Sequence, residues 1–210
     1  MNVKPWMRRI LAALRLGPAL KLDGNERYRP ALELASDRTG LDPALVAAVI
    51  DAEAAPLRSA ARLNMLADEA FYQRHPQRQG KPLDPRHPQD AALIQEWKAI
   101  HESLKGSWDE RSSAGTLSSA RGATQFLAGT WVDEAQREGT YLNEVARQKG
   151  YVDQNNRLVP ARREELLDLR YDRTMSVVAA AEYDTYELGR LVAAGAIPDE
   201  VTDAERAQYL

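Results

Sequence analysis

The sequence predicts an all-α fold on three observations. Apolar residues recur at helical spacing in one segment after another, helix-starting and helix-ending residues punctuate those segments, and no run alternates long enough for a strand. With 210 residues, 28 Lys+Arg against 31 Asp+Glu and 44% hydrophobic content, the chain reads as one ordinary globular domain. At this length folding buries about 70% of the surface exposed by the unfolded chain, so neither disulfides nor a structural metal is needed. There is no cysteine, which excludes a thiolate nucleophile, a cysteine zinc ribbon and a disulfide scaffold and fits either redox compartment. The net charge of −3 argues against nucleic acid as a partner, because such modules carry a basic excess or stripe.

The elements follow in order. Residues 1 to 22 hold Lys4, Arg8, Arg9, Arg15 and Lys21 without an acid, and Met7, Ile10, Leu11 and Leu14 share one helical face. This predicts a short basic amphipathic helix. It reads either as a membrane-surface or partner-docking segment or as a helix packed on the core. Arg15 breaks the apolar run, so it is a poor signal peptide, and no apolar stretch reaches the roughly 18 residues of a membrane span. Stable membrane insertion is therefore not expected.

Asn25 to Thr39 reads as a helix ended by Gly40, and Asp42 with Pro43 starts another that runs to about Ala55 before Pro56. Residues 57 to 73 and Gln89 to Lys105 read as helices around a proline-rich loop, and together they form a helical insertion at about 57–105. Gly106 to Arg121 reads as irregular. Three short helices are expected over Ala123 to Ala128, Trp131 to Glu138 and Tyr141 to Lys149, with Thr130 and Thr140 as caps and Gly139 and Gly150 as ends. A turn at Asp153 to Asn156 precedes Arg162 to Arg170 and a long helix, Thr174 to Ala194; Thr202 and Glu205 form a final capping box. The organisation is thus a basic helix, 1–22, and a helical domain, 23–210.

The helix from Pro43 carries the sharpest chemical signal. Val46, Val49 and Ile50 form an apolar stripe whose next position is Glu53. A carboxyl at a helix C-terminus with apolar neighbours is expected to hold its proton more tightly, as a general acid requires, or else to reach solvent or a nearby arginine at the helix edge. The segment Ser118 to Trp131, S-S-A-R-G-A-T-Q-F-L-A-G-T-W, sets small residues beside Thr124 and Gln125, a mixture suited to a sugar or peptide amide. Trp108 and Trp131 are either sugar-stacking platforms or core residues. His75, His87 and His101 show no ligand spacing, so no metal is expected, and Glu182, one turn beyond Val178, reads either as a residue facing the cleft or, more in keeping with its type, as a structural ion-pair partner.

Together these segments resemble the lysozyme-like lytic transglycosylase superfamily, the goose-type lysozyme and soluble lytic transglycosylase branch that degrades bacterial cell wall. The resemblance rests on A-L-V-A-A-V-I-D-A-E-A-A around Glu53 and on G-A-T-Q-F-L-A-G-T-W, with W-D-E-R-S-S, G-T-Y-L-N-E-V-A-R-Q and L-R-Y-D further along. It implies a lysozyme-like helical fold, no cofactor, and cleavage of peptidoglycan strands between N-acetylmuramic acid and N-acetylglucosamine. Glu53 would be the catalytic residue, with Ser119, Thr124, Gln125, Trp108 and Tyr209 binding substrate. Asp51 is the only carboxylate beside Glu53 in sequence, and helical geometry turns it to another face. A single carboxylate implies the transglycosylase route to a 1,6-anhydro product, with lysozyme-type hydrolysis and non-catalytic peptidoglycan binding as the alternatives. Action at the periplasm or cell wall, reached by a route other than a signal peptide, follows from the same likeness. The chain departs from the pattern at Ala54, where many relatives carry Ser, and it stops at Tyr209-Leu210, where relatives continue into a turn. The expectation is a folded protein with reduced or absent glycanase activity and a cleft open on that side.

Overall fold

The computed structural model describes residues 20–112 and 118–198. The basic segment up to residue 19, the terminal capping box and Tyr209 lie outside the described residues. Eight α-helices are present among them: α1 Arg29–Thr39, α2 Pro43–Glu53, α3 Ala60–Arg74, α4 Ala91–Ser103, α5 Ala128–Gln136, α6 Tyr141–Gln148, α7 Arg163–Asp168 and α8 Arg173–Ala193. The described residues are mostly helical, with no strand beyond three isolated bridges. None of these helices is long and apolar enough to cross a membrane.

Caps explain most boundaries. Asp42 accepts the Ala44 amide at 2.7 Å to start α2, Ser59 starts α3, Thr140 starts α6 and Asp172 starts α8. Gly40 ends α1 in the left-handed conformation, φ 77°, which costs a glycine no strain.

Two expectations fail. Ala123 to Ala128 is not a helix: Arg121 bridges Phe126, and Gln125 between them is left-handed at φ 51°. Thr130 does not cap a helix either. The helix begins at Ala128 with Leu127 as its cap residue, which places Thr130 within its first turn. The tight turn before it sets that start.

The chain divides into two compact units. The first comprises 28–54 and the described residues from Glu110 onward, with Leu20 and Lys21. Its core joins Phe126, Trp131, Leu142, Tyr151, Leu166, Leu167 and Met175, and Trp131, fully buried, donates its indole N–H to the Leu166 carbonyl at 2.8 Å. Along α8, Val177, Val178, Ala179 and Ala181 are buried, and α1 packs against that helix through Ala31, Leu32 and Ala35. Burying a side chain such as Leu32 or Val178 contributes about 1.5–3 kcal/mol, so the α1–α8 seam stabilises this unit substantially.

The second unit comprises 22–27 and 55–109. Here α3 and α4 pair through Leu63, Leu66, Ala67, Phe71, Ile100 and Leu104. Arg27 ties its ends together, donating to the Ser107 hydroxyl at 3.0 Å and to the Trp108 carbonyl.

Candidate functional site

Glu53 is the last residue of α2, and Ala54 turns the backbone to extended geometry. The stripe behind it is buried at Val46 and Ile50, but Glu53 is exposed, so the apolar surround expected of it is missing. The physical reason is where the helix stops. A carboxyl joins a buried face only where another element covers it, and the last turn of α2 is exposed at Asp51, Ala52 and Glu53. Its carboxylate has no hydrogen-bond or ion-pair partner among the described residues.

The group with strongly altered acidity is Asp184 of α8. It is half-buried with no compensating cation among the described residues, and its carboxyl is pushed up to about 7, first by burial and then by the negative charge of Glu53. Glu53 and Asp184 therefore lie close enough to sense one another. This carboxyl pair was not legible in the sequence, because the packing of α2 against α8 brings together residues far apart in the chain.

The same helix supports the turn that carries the other candidates. Thr124 shares a hydrogen bond of 2.8 Å with the buried Ser176 hydroxyl, and Phe126 meets the Tyr183 ring edge-on at 6.0 Å. Gln125 donates its amide to the Ser112 hydroxyl and to the Gly122 carbonyl at 2.6 Å, bonds that hold its left-handed backbone. Gly122 has φ 82°, and a Cβ there would stand 2.1 Å from the Arg170 carbonyl oxygen. Only glycine fits. Arg170, itself buried, clamps the turn by donating to the Ser119 carbonyl at 2.7 Å and to the Phe126 carbonyl. Ser119 is exposed, and its hydroxyl accepts the Ala128 amide at 3.1 Å.

Thr124, Gln125 and Ser119 thus belong to one rigid turn of the first unit. Trp108 belongs to the second unit, where it is 5% exposed and its amide donates to Asn25 Oδ1 at 2.7 Å. Tyr209 lies outside the described residues. A further residue missed in the sequence is Glu110, a buried carboxyl that accepts from the Tyr28 hydroxyl at 3.4 Å. Glu182 is structural: it pairs with Arg38 at 2.6 Å and accepts the Tyr141 amide at 2.8 Å. No cluster of His, Asp or Glu among the described residues could hold a metal ion.

No protein-family model, no curated protein and no solved structure matches the chain.

Proposed function

We propose that the chain cleaves peptidoglycan glycan strands between N-acetylmuramic acid and N-acetylglucosamine, with Glu53 as the catalytic carboxyl. The observation that carries this reading is an open, unneutralised carboxylate on a rigid helix end, beside a second carboxyl of suppressed acidity. Glu53 would protonate the leaving glycosidic oxygen and then, as a base, take the proton from the C6 hydroxyl as it closes the 1,6-anhydro ring. The rigid turn of Ser119, Thr124 and Gln125 would supply hydrogen bonds to the acetamido and hydroxyl groups of the strand.

Asp184 favours a second reading on the same substrate. A pair of carboxyls, one of which holds its proton to near neutrality, is the equipment of a hydrolase. Asp184, about half protonated near pH 7, would then be the acid, and Glu53 the base or nucleophile.

Sacculi digested with wild type, Glu53→Gln and Asp184→Asn test both. The transglycosylase reading expects 1,6-anhydro ends, loss of turnover in Glu53→Gln and substantial turnover in Asp184→Asn. Reducing ends with loss in both variants would select the hydrolase. A wild type that binds sacculi without cutting them would move the assignment to a non-catalytic wall-binding protein.

A further inference from the structure

One turn of the first unit gathers positive charge in a chain whose net charge is −3. Arg121 donates to the Ser118 carbonyl at 2.9 Å and to the Ala120 carbonyl at 2.7 Å, and Arg170 reaches the same turn through the Ser119 carbonyl at 2.7 Å. The residue after Arg170 brings in another guanidinium, because that of Arg111 stands 5.5 Å from the centre of the Tyr171 ring. Arg163 lies close enough to act on the charge of Arg170 as well. The carboxylate that opposes them, Glu164, already pairs with Arg163 at 2.9 Å.

Clamping the turn does not require this crowding. The carbonyls of Leu167, Ser119 and Phe126 satisfy Arg170, and no carboxylate pairs with it among the described residues. Burial, and then the charges of Arg121 and Arg163, hold its guanidinium below the usual arginine range. Like charges so placed repel, and an oxyanion at the turn relieves the repulsion. Donors for one are in place. The Ser118 hydroxyl accepts the Ala120 amide at 3.1 Å and the Ser119 hydroxyl accepts the Ala128 amide at 3.1 Å, so each keeps its own proton to give. Ser119 is exposed, and Ser118, Arg121 and Arg163 are half-buried, so a ligand reaches them from solvent. Guanidinium and hydroxyl donors side by side match a planar carboxylate, whose two oxygens take parallel hydrogen bonds.

We propose that the Ser118–Arg121 turn, with the charges of Arg163 and Arg170, binds a carboxylate carried by the ligand of the neighbouring Thr124 and Gln125. The anion chemistry rests on the turn alone. That the carrier is muramic acid, through its lactyl carboxylate or a carboxylate of its stem peptide, rests on the cleavage reading above.

The test titrates N-acetylglucosamine, N-acetylmuramic acid and muramoyl dipeptide onto the full chain carrying Glu53→Gln, followed by the amide resonances of Ser119 and Arg121 at low and high salt. All three share the pyranose and its acetamido group. The second adds a lactyl carboxylate; in the third that carboxyl is an amide, and the peptide carries a carboxylate instead. At low salt at least one of the two anionic ligands should bind about tenfold or more tightly than N-acetylglucosamine, and high salt should shrink that advantage. The tighter of the two identifies the source of the carboxylate. Arg121→Gln should remove most of the advantage and Arg163→Gln several-fold of it. The Arg163 side chain is 43% exposed, so its variant keeps the fold and tests the site even where Arg121→Gln loosens the turn. Equal affinity for the three ligands, or an advantage that survives high salt and Arg163→Gln, would overturn the proposal. So would inorganic phosphate that moves the two resonances while neither carboxylate does. Sacculus lysis by wild type and Glu53→Gln is read separately. A missing carboxylate preference while Glu53→Gln abolishes lysis refutes the site alone, and a clear preference while Glu53→Gln lyses normally refutes the catalytic reading alone.

Discussion

Asp184 makes folding stability depend on pH in a direction opposite to that of most carboxylates. Its acidity in the folded chain is pushed from 3.8 to about 7, so the folded state holds this proton more tightly than the unfolded state does. Below pH 3.8 both states are protonated and the group costs nothing. As pH rises from there to about 7, the unfolded chain releases the proton first, and stability falls. At about 1.4 kcal/mol per pH unit, ionising the folded group costs roughly 4 kcal/mol by pH 8, a large share of a domain's 5–15 kcal/mol. Asp184→Asn removes the titrating group, so the difference in stability between variant and wild type should grow in the variant's favour by several kcal/mol between pH 4 and 8. Glu53→Gln should lower the Asp184 value only in part, because burial is the larger cause. Urea unfolding at intervals across that range, with a carboxyl-carbon NMR titration of Asp184, measures both quantities. Identical pH profiles for Asp184→Asn and wild type, or an Asp184 resonance titrating near pH 4, would refute the reasoning.

Three further outcomes are expected. Gly122→Ala should destabilise by about 3 kcal/mol or more and loosen the turn around Gln125, since the new methyl meets the Arg170 carbonyl and the backbone is left-handed; the checks are a thermal melt and amide exchange at Gln125. Asp42→Ala should cost about 1 kcal/mol through loss of the α2 cap, read by urea unfolding, whereas Asp42→Ser should recover most of it. Glu182→Ala should cost about 3 kcal/mol, because it leaves the half-buried Arg38 short of its strongest partner and orphans the Tyr141 amide; removal of Arg38 in the same chain should cost little more, which a double-mutant cycle measures.

What was legible in the sequence was local. Asp42 before Pro43, Gly40, Thr140 and Gly150 act through bonds a few residues away, and the helix ends they mark agree with the structure to within a few residues. The turn at Gln125 was not legible, because the Ser112 hydroxyl that holds it comes from outside the segment and a local reading favours a helix there. The long helix was visible as α8, yet its role as the carrier of Ser176, Tyr183 and Asp184 depends on what packs against it. Glu53 illustrates the converse. Periodicity placed it correctly at the end of α2 but extended the buried stripe past the point where the protein covers it.

The central claim is that Glu53 cleaves glycan strands, and sacculus digestion by wild type beside Glu53→Gln, followed by mass spectrometry of the soluble products, tests it most directly. Because Glu53 is exposed, the substitution leaves the fold intact, so any change reads out chemistry. The expected result is muropeptides with 1,6-anhydro ends from wild type and a fall in turnover of about 100-fold or more in the variant. Equal release of muropeptides by the two proteins would contradict the account.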